Sequence, residues 1–98
     1  MIRHICMFKL KEENKQANLS ELMKQVQSLR SIEQIRGFEV VCNAENMPEN
    51  NYDVALIFDF ETAEDLQQYQ EHPTHKAFGA FIGQIRECRA CIDYAFQP

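Results

Sequence analysis

Tyr52-Asp53-Val54-Ala55-Leu56-Ile57-Phe58-Asp59-Phe60 alternates without a break: Tyr52, Val54, Leu56, Phe58 and Phe60 fall on one side, and Asp53, Ala55, Ile57 and Asp59 on the other. Successive side chains of an extended backbone point to opposite faces, so a period of two in β-branched and aromatic residues predicts a strand. The first side is large and apolar throughout, which sends it into a core.

Upstream of this strand, Ala44 to Asn51 carries Pro48 and three Asn, the composition of a polar loop. Phe38 to Asn43, before the loop, reads as a shorter strand. Asn18 followed by Glu21 has the form of a capping box, and Leu19, Leu22, Val26 and Leu29 then recur at spacings of three and four. An amphipathic helix is predicted from about Leu19 to Ile32, ending before Gly37. At the start of the chain, Ile2, His4, Cys6, Phe8 and Leu10 alternate with Arg3, Ile5, Met7, Lys9 and Lys11. Apolar centres on both faces predict a central strand.

Downstream, Thr62 followed by Asp65 caps a helix through Leu66 and Tyr69. Pro73 must end or break that helix, because it lacks an N–H and holds His72 toward extended conformations. Thr74 is placed to cap a restart, with Ala77, Phe78, Phe81, Ile82 and Ile85 as its apolar stripe. The last strand alternates Cys88, Ala90, Ile92, Tyr94 and Phe96 with Arg89, Cys91, Asp93 and Ala95.

The resulting order is β-α-β-β-α-β with the second helix in two pieces, a single domain over residues 1-98. Its simplest compact form is the α+β ferredoxin-like sandwich with a four-stranded antiparallel sheet. Right-handed crossovers put every helix on one face of the sheet. The other face is left with Ile5, Met7, Val41, Ala55, Ile57 and Cys91 near its middle. Water contact for such a patch costs about 25 cal/mol per Å² of apolar area, so a homodimer packed sheet against sheet, a dimeric α+β barrel, is expected.

At 98 residues, 45 % hydrophobic and 26 % charged, the chain can bury a core without metal or disulfide staples. A net charge of -5 argues against nucleic acid, whose phosphates draw on clustered Lys and Arg. Lys9 and Lys11 interrupt the apolar start of the chain, and no run approaches a membrane span, so a cytoplasmic protein without a membrane partner is expected. Cys6, Cys42, Cys88 and Cys91 are accordingly expected to be reduced, apolar side chains. Cys88-Arg89-Ala90-Cys91 has the C-x-x-C spacing, yet alternation on a strand sends residues three apart to opposite faces. Two buried thiols are the expectation there.

Chemistry concentrates in Tyr69-Gln70-Glu71-His72-Pro73-Thr74-His75-Lys76-Ala77-Phe78. His75 has the proton affinity of a general base near neutral pH, and Tyr69 could donate a hydrogen bond to a developing enolate oxygen. The plainer alternative has Tyr69 packed on the sheet and His72 and His75 bonded to backbone groups freed by the break. His4 shares a strand face with Phe8 and so points toward the helices. Three His also invite a metal reading, but the extended residue before Pro73 breaks the helical register between His72 and His75, and no metal or other cofactor is expected.

Arg3 to Lys11, Tyr52 to Leu56, Phe60-Glu61-Thr62, His72-Pro73-Thr74-His75 and Ile92-Asp93-Tyr94 together resemble the Dabb family, the stress-responsive dimeric α+β barrel domain. The resemblance implies the dimeric barrel and a family largely of unassigned biochemical activity. A plant member of that family closes a linear polyketide by intramolecular aldol condensation, and its Tyr and His look like Tyr69 and His75. Its pocket His on the first strand looks like His4, whereas a further pocket His is replaced by Val54. Two functions are thus expected. The favoured one is a stress-related domain binding a small apolar ligand through His4, Val54, His72 and Phe78. The alternative is a cofactor-free cyclase, lyase or isomerase acting on a small carbonyl or polyketide-like compound, with Tyr69 and His75 as the acid/base pair.

Overall fold

Alternating strands and capped helices assemble in the computed structural model, which describes residues Met1–Pro98, as β1 (Ile2–Leu10), α1 (Lys15–Gln25), β2 (Gly37–Cys42), β3 (Val54–Phe60), α2 (Ala63–Glu71), α3 (Pro73–Ile85) and β4 (Arg86–Ala95). One antiparallel sheet has the order β2-β3-β1-β4, with β1 and β3 in the middle. This is the ferredoxin-like arrangement, and the two-piece second helix is present as α2 and α3.

Residues opposite one another in the sheet share a face. Cys6 lies between Leu56 and Cys91, and His4 between Phe58 and Asp93. The covered face therefore carries His4, Cys6, Phe8 and the row Val54, Leu56, Phe58 and Phe60. All seven are buried, and together with Leu22, Val26, Leu29, Leu66, Tyr69, Phe78 and Ile82 they build the interior, in which His4 is the one polar residue.

Two expectations for the first helix are corrected. It begins at Lys15, four residues before the expected Leu19, and no capping box forms. Asn14 turns the chain instead in a left-handed conformation, φ 58°, which Asn tolerates better than most residues, while Asn18 sits inside the helix and donates its backbone N–H to Asn14 O at 2.9 Å. The helix also tightens into a 3₁₀ turn over Val26–Ser31. Val26, Leu29 and Ile32 recur every third residue, and the three-residue period of a 3₁₀ helix aligns them on one buried side. Ser28 and Ser31 support the tighter turn by donating to Gln25 O and Ser28 O at 2.7 and 2.9 Å.

The uncovered face is also corrected in one member. Cys91 does not belong to it, because Cys91 pairs with Cys6 and faces the helices. Ala90, Ile92 and Tyr94 take the open side instead, opposite Met7, Ile5 and Arg3. A period of two fixes the alternation of β4 but leaves its parity to partners. Its polar row, Arg89, Cys91 and Asp93, finds partners on the covered side. Ile92 is 59 % exposed and Val41 41 %, so a continuous apolar strip with Ile5, Met7, Ala55 and Ile57 meets solvent in the single chain. No helix is long and apolar enough to cross a membrane.

Candidate functional site

The site is built at the joint between α2 and α3. Thr62 Oγ1 accepts the Asp65 N–H at 3.1 Å, which starts α2, and Tyr69 lies on its last turn, buried against Phe58 and Phe60. His72 is extended, φ -65° and ψ 136°, as the residue before Pro73 must be. Its Nδ1 accepts the Thr74 N–H at 3.1 Å, so His72 caps α3 and Pro73 occupies the first turn, where a missing N–H costs nothing. Thr74 is not the cap. The capping oxygen expected from Thr74 is replaced by a ring nitrogen two residues earlier, because the break falls before Pro73 and not after it.

Within the first turn of α3, His75 folds back onto α2, and its Nδ1–H donates to Gln70 O at 2.9 Å. Nε2 is thereby left as the acceptor. The His75 and Tyr69 rings are 4.5 Å apart between centroids, and His4 reaches the other side of Tyr69 at 6.2 Å. Burial holds the His75 pKa below its ordinary value, an effect offset in part by the Gln70 carbonyl and reinforced by His4, Arg89 and His72. The imidazole is therefore neutral at pH 7. Burial also raises the Tyr69 pKa, so the phenol keeps its proton.

These side chains border a cavity of about 290 Å³ between sheet and helices. His4, Tyr69, His75 and Phe78 line it, along with Cys6, Phe8, Leu56, Gln70, Gly79, Ile82, Arg86 and Arg89. Val54 and His72 do not. Val54 packs in the core near the far end of β3, opposite Phe8 and Cys42, and the His72 ring is committed to its cap.

Arg86, Arg89, Cys6 and Asp93 were not foreseen as part of the site. Asp93 hydrogen-bonds His4 Nδ1 and orients the ring. Cys6 and Cys91 face each other across β1 and β4 with Cα atoms 4.3 Å apart, and their sulfurs are joined as a disulfide. This corrects the expectation of reduced thiols, because sequence gives no strand register to oppose two residues so far apart. Arg89 donates to Cys91 Sγ at 2.8 Å and to Cys6 Sγ at 3.5 Å. Cys88 and Cys91 lie on opposite faces as alternation requires, but neither is buried. The sequence signal for these residues is the polar row of β4, whose parity only the pairing with β1 reveals.

A ferredoxin-like sheet with one bare face and a cavity under its helices defines a class of small α+β barrel proteins. The sequence profile of the Dabb family, the stress responsive A/B barrel domain, matches residues 2–96, and the chain belongs to that family. A dimeric ferredoxin-like protein of unknown function from Bacteroides fragilis is 32% identical, with a TM-score of 0.84 over 97% of this chain and 95% of that one. Another from Thermobifida fusca is 23% identical, with a TM-score of 0.87 over 97% and 90% of the two chains. A hydroxynitrile lyase from Passiflora edulis shares the fold at 15% identity, with a TM-score of 0.82 over 98% and 93%. No curated protein matches the chain in a sequence search.

Proposed function

We propose that the protein is a homodimer that binds a small, mainly apolar molecule bearing a carbonyl or carboxylate group in the cavity beneath α2 and α3. The observation that carries this reading is the lining itself. Phe8, Leu56, Phe78 and Ile82 offer an apolar body, while Tyr69, His75, Arg86 and Arg89 supply a few polar groups suited to an oxygen-rich end. Its volume of about 290 Å³ lies at the small end of ligand pockets, typically about 300 to 1,000 Å³. Two guanidinium groups in a chain of net charge -5 favour an anionic end on the ligand. The dimeric relatives and the bare apolar face support the sheet-to-sheet pair. A cytoplasmic setting and a role in stress belong to the same proposal.

The second reading, cofactor-free proton transfer, is favoured by one pairing. A neutral His75 with a free Nε2 stands beside a protonated Tyr69, the base and hydrogen-bond donor that enolate chemistry needs. A lyase among the proteins of this fold supports it only as precedent for the scaffold.

The test is a native mass-spectrometric screen of aliphatic and aromatic keto acids, followed by calorimetry on variants. Binding should weaken about tenfold in Arg86→Ala, by loss of a charge-assisted hydrogen bond. Equal affinity in wild type, Arg86→Ala and Phe78→Ala would remove the cavity as the site. For the second reading, His75→Ala should abolish any carbon-acid turnover while the dimer stays folded, and unchanged turnover would exclude His75 as the base.

A further inference from the structure

We infer that, when the Cys6–Cys91 pair is reduced, His4, Cys6 and Cys91 form a zinc site at the floor of the cavity. One imidazole nitrogen of His4 and the two sulfurs lie within 4.8 Å of one another. Around a tetrahedral zinc ion, with Zn–S of about 2.3 Å and Zn–N of about 2.0 to 2.1 Å, neighbouring ligand atoms are about 3.5 to 3.8 Å apart. In the proposed site the side chains rotate to that spacing, and the exposed edge position of Cys91 leaves its side chain room to turn. Two thiolates and one imidazole form the soft N/S set that selects zinc over magnesium or calcium.

The surroundings carry the inference beyond proximity. Asp93 hydrogen-bonds His4 Nδ1; in the proposed site the ion takes the other ring nitrogen, the carboxylate–histidine arrangement that fixes a metal-bound imidazole. Arg89 directs an N–H at both sulfurs, which stabilises them as thiolates and offsets their charge. His4 and Cys6 also line the cavity, so three protein ligands leave a fourth position for water or for an anionic group of a cavity ligand. A small-molecule disulfide oxidises the pair by thiol–disulfide exchange: its S–S bond breaks, its two halves leave as thiols carrying the two electrons and two protons, and the Cys6–Cys91 bond that forms closes the site. The site does not depend on which small molecule the cavity binds.

The measurement uses full-length protein carrying Cys42→Ser and Cys88→Ser, reduced with a phosphine under anaerobic conditions and titrated with Co(II) alone. One equivalent per chain should give thiolate-to-cobalt charge-transfer absorption and the intense visible bands of tetrahedral cobalt, both erased by one equivalent of Zn(II). Cys91→Ser, at an exposed position, should lose most of the charge-transfer absorption while the circular dichroism spectrum is kept. Asp93→Asn should weaken binding about 10 to 100-fold. Absence of the charge-transfer band in protein with both thiols free overturns the proposal. So does an unchanged band in Cys91→Ser, or a pair that cannot be reduced without unfolding the chain. Ligand binding by the cavity in metal-free protein leaves the functional reading standing whichever way the cobalt result falls.

Discussion

At the scale of single residues, His75 has a depressed pKa because it is half-buried and faces His4, Arg89 and His72, with Asp93 answering only the first of these. A His whose folded pKa lies below its reference value of 6.5 binds fewer protons when folded than when unfolded. Its contribution is fully present above that reference value and is lost as the pH falls through the lower folded pKa. Urea unfolding followed from about pH 7 to about pH 5 should therefore show falling stability, and His75→Gln should flatten that slope. The identities of Tyr69, His75 and His4 as cavity residues were legible from spacing and resemblance. Arg89 and Asp93 were not, because their place depends on which face of β4 turns inward, a matter settled by partners on β1.

At the scale of elements, the α2–α3 joint shows how far local sequence rules reach. Thr62 as a cap, the extended His72 and the break at Pro73 all follow from backbone chemistry between neighbours, and all three are present. The choice of His72 over Thr74 as the second cap depended on where α3 begins, which is the least local part of the problem. Losing a helix cap costs about 1 kcal/mol, so His72→Ala should lower unfolding free energy by about that amount with the m-value unchanged. His72→Asn, which keeps an acceptor at the cap, should recover most of the loss. In α1 the capping box failed because Asn14 offered an earlier turn, and the regular helix gave way where Val26, Leu29 and Ile32 demanded a period of three.

At the scale of the whole molecule, the alternation of Tyr52 to Phe60 and of Ile2 to Leu10 was sufficient to predict the sheet and its bare face, since topology needs only the order and faces of elements. The exact strip needed the register. Ile57 and Ile92 lie at its centre, flanking Ile5 on β3 and β4. Ile57→Lys should convert the proposed dimer to monomer, with sedimentation velocity at micromolar concentration as the check. A dimer that survives Ile57→Lys and Ile92→Lys together would place the interface elsewhere. The sheet order carries a further consequence, in time instead of space. β1 is the first strand to be synthesised and sits at the centre, yet its neighbours β3 and β4 follow only after the polar loop and at the far end of the chain, where Phe96 N–H donates to Met1 O at 2.9 Å. A ribosome adding about 5 to 20 residues per second holds β1 without hydrogen-bonding partners for several seconds, and the sheet closes only once the last strand has emerged. The decisive step of folding thus waits for β4, and the high proportion of distant pairings should make that step slow for a domain of this size.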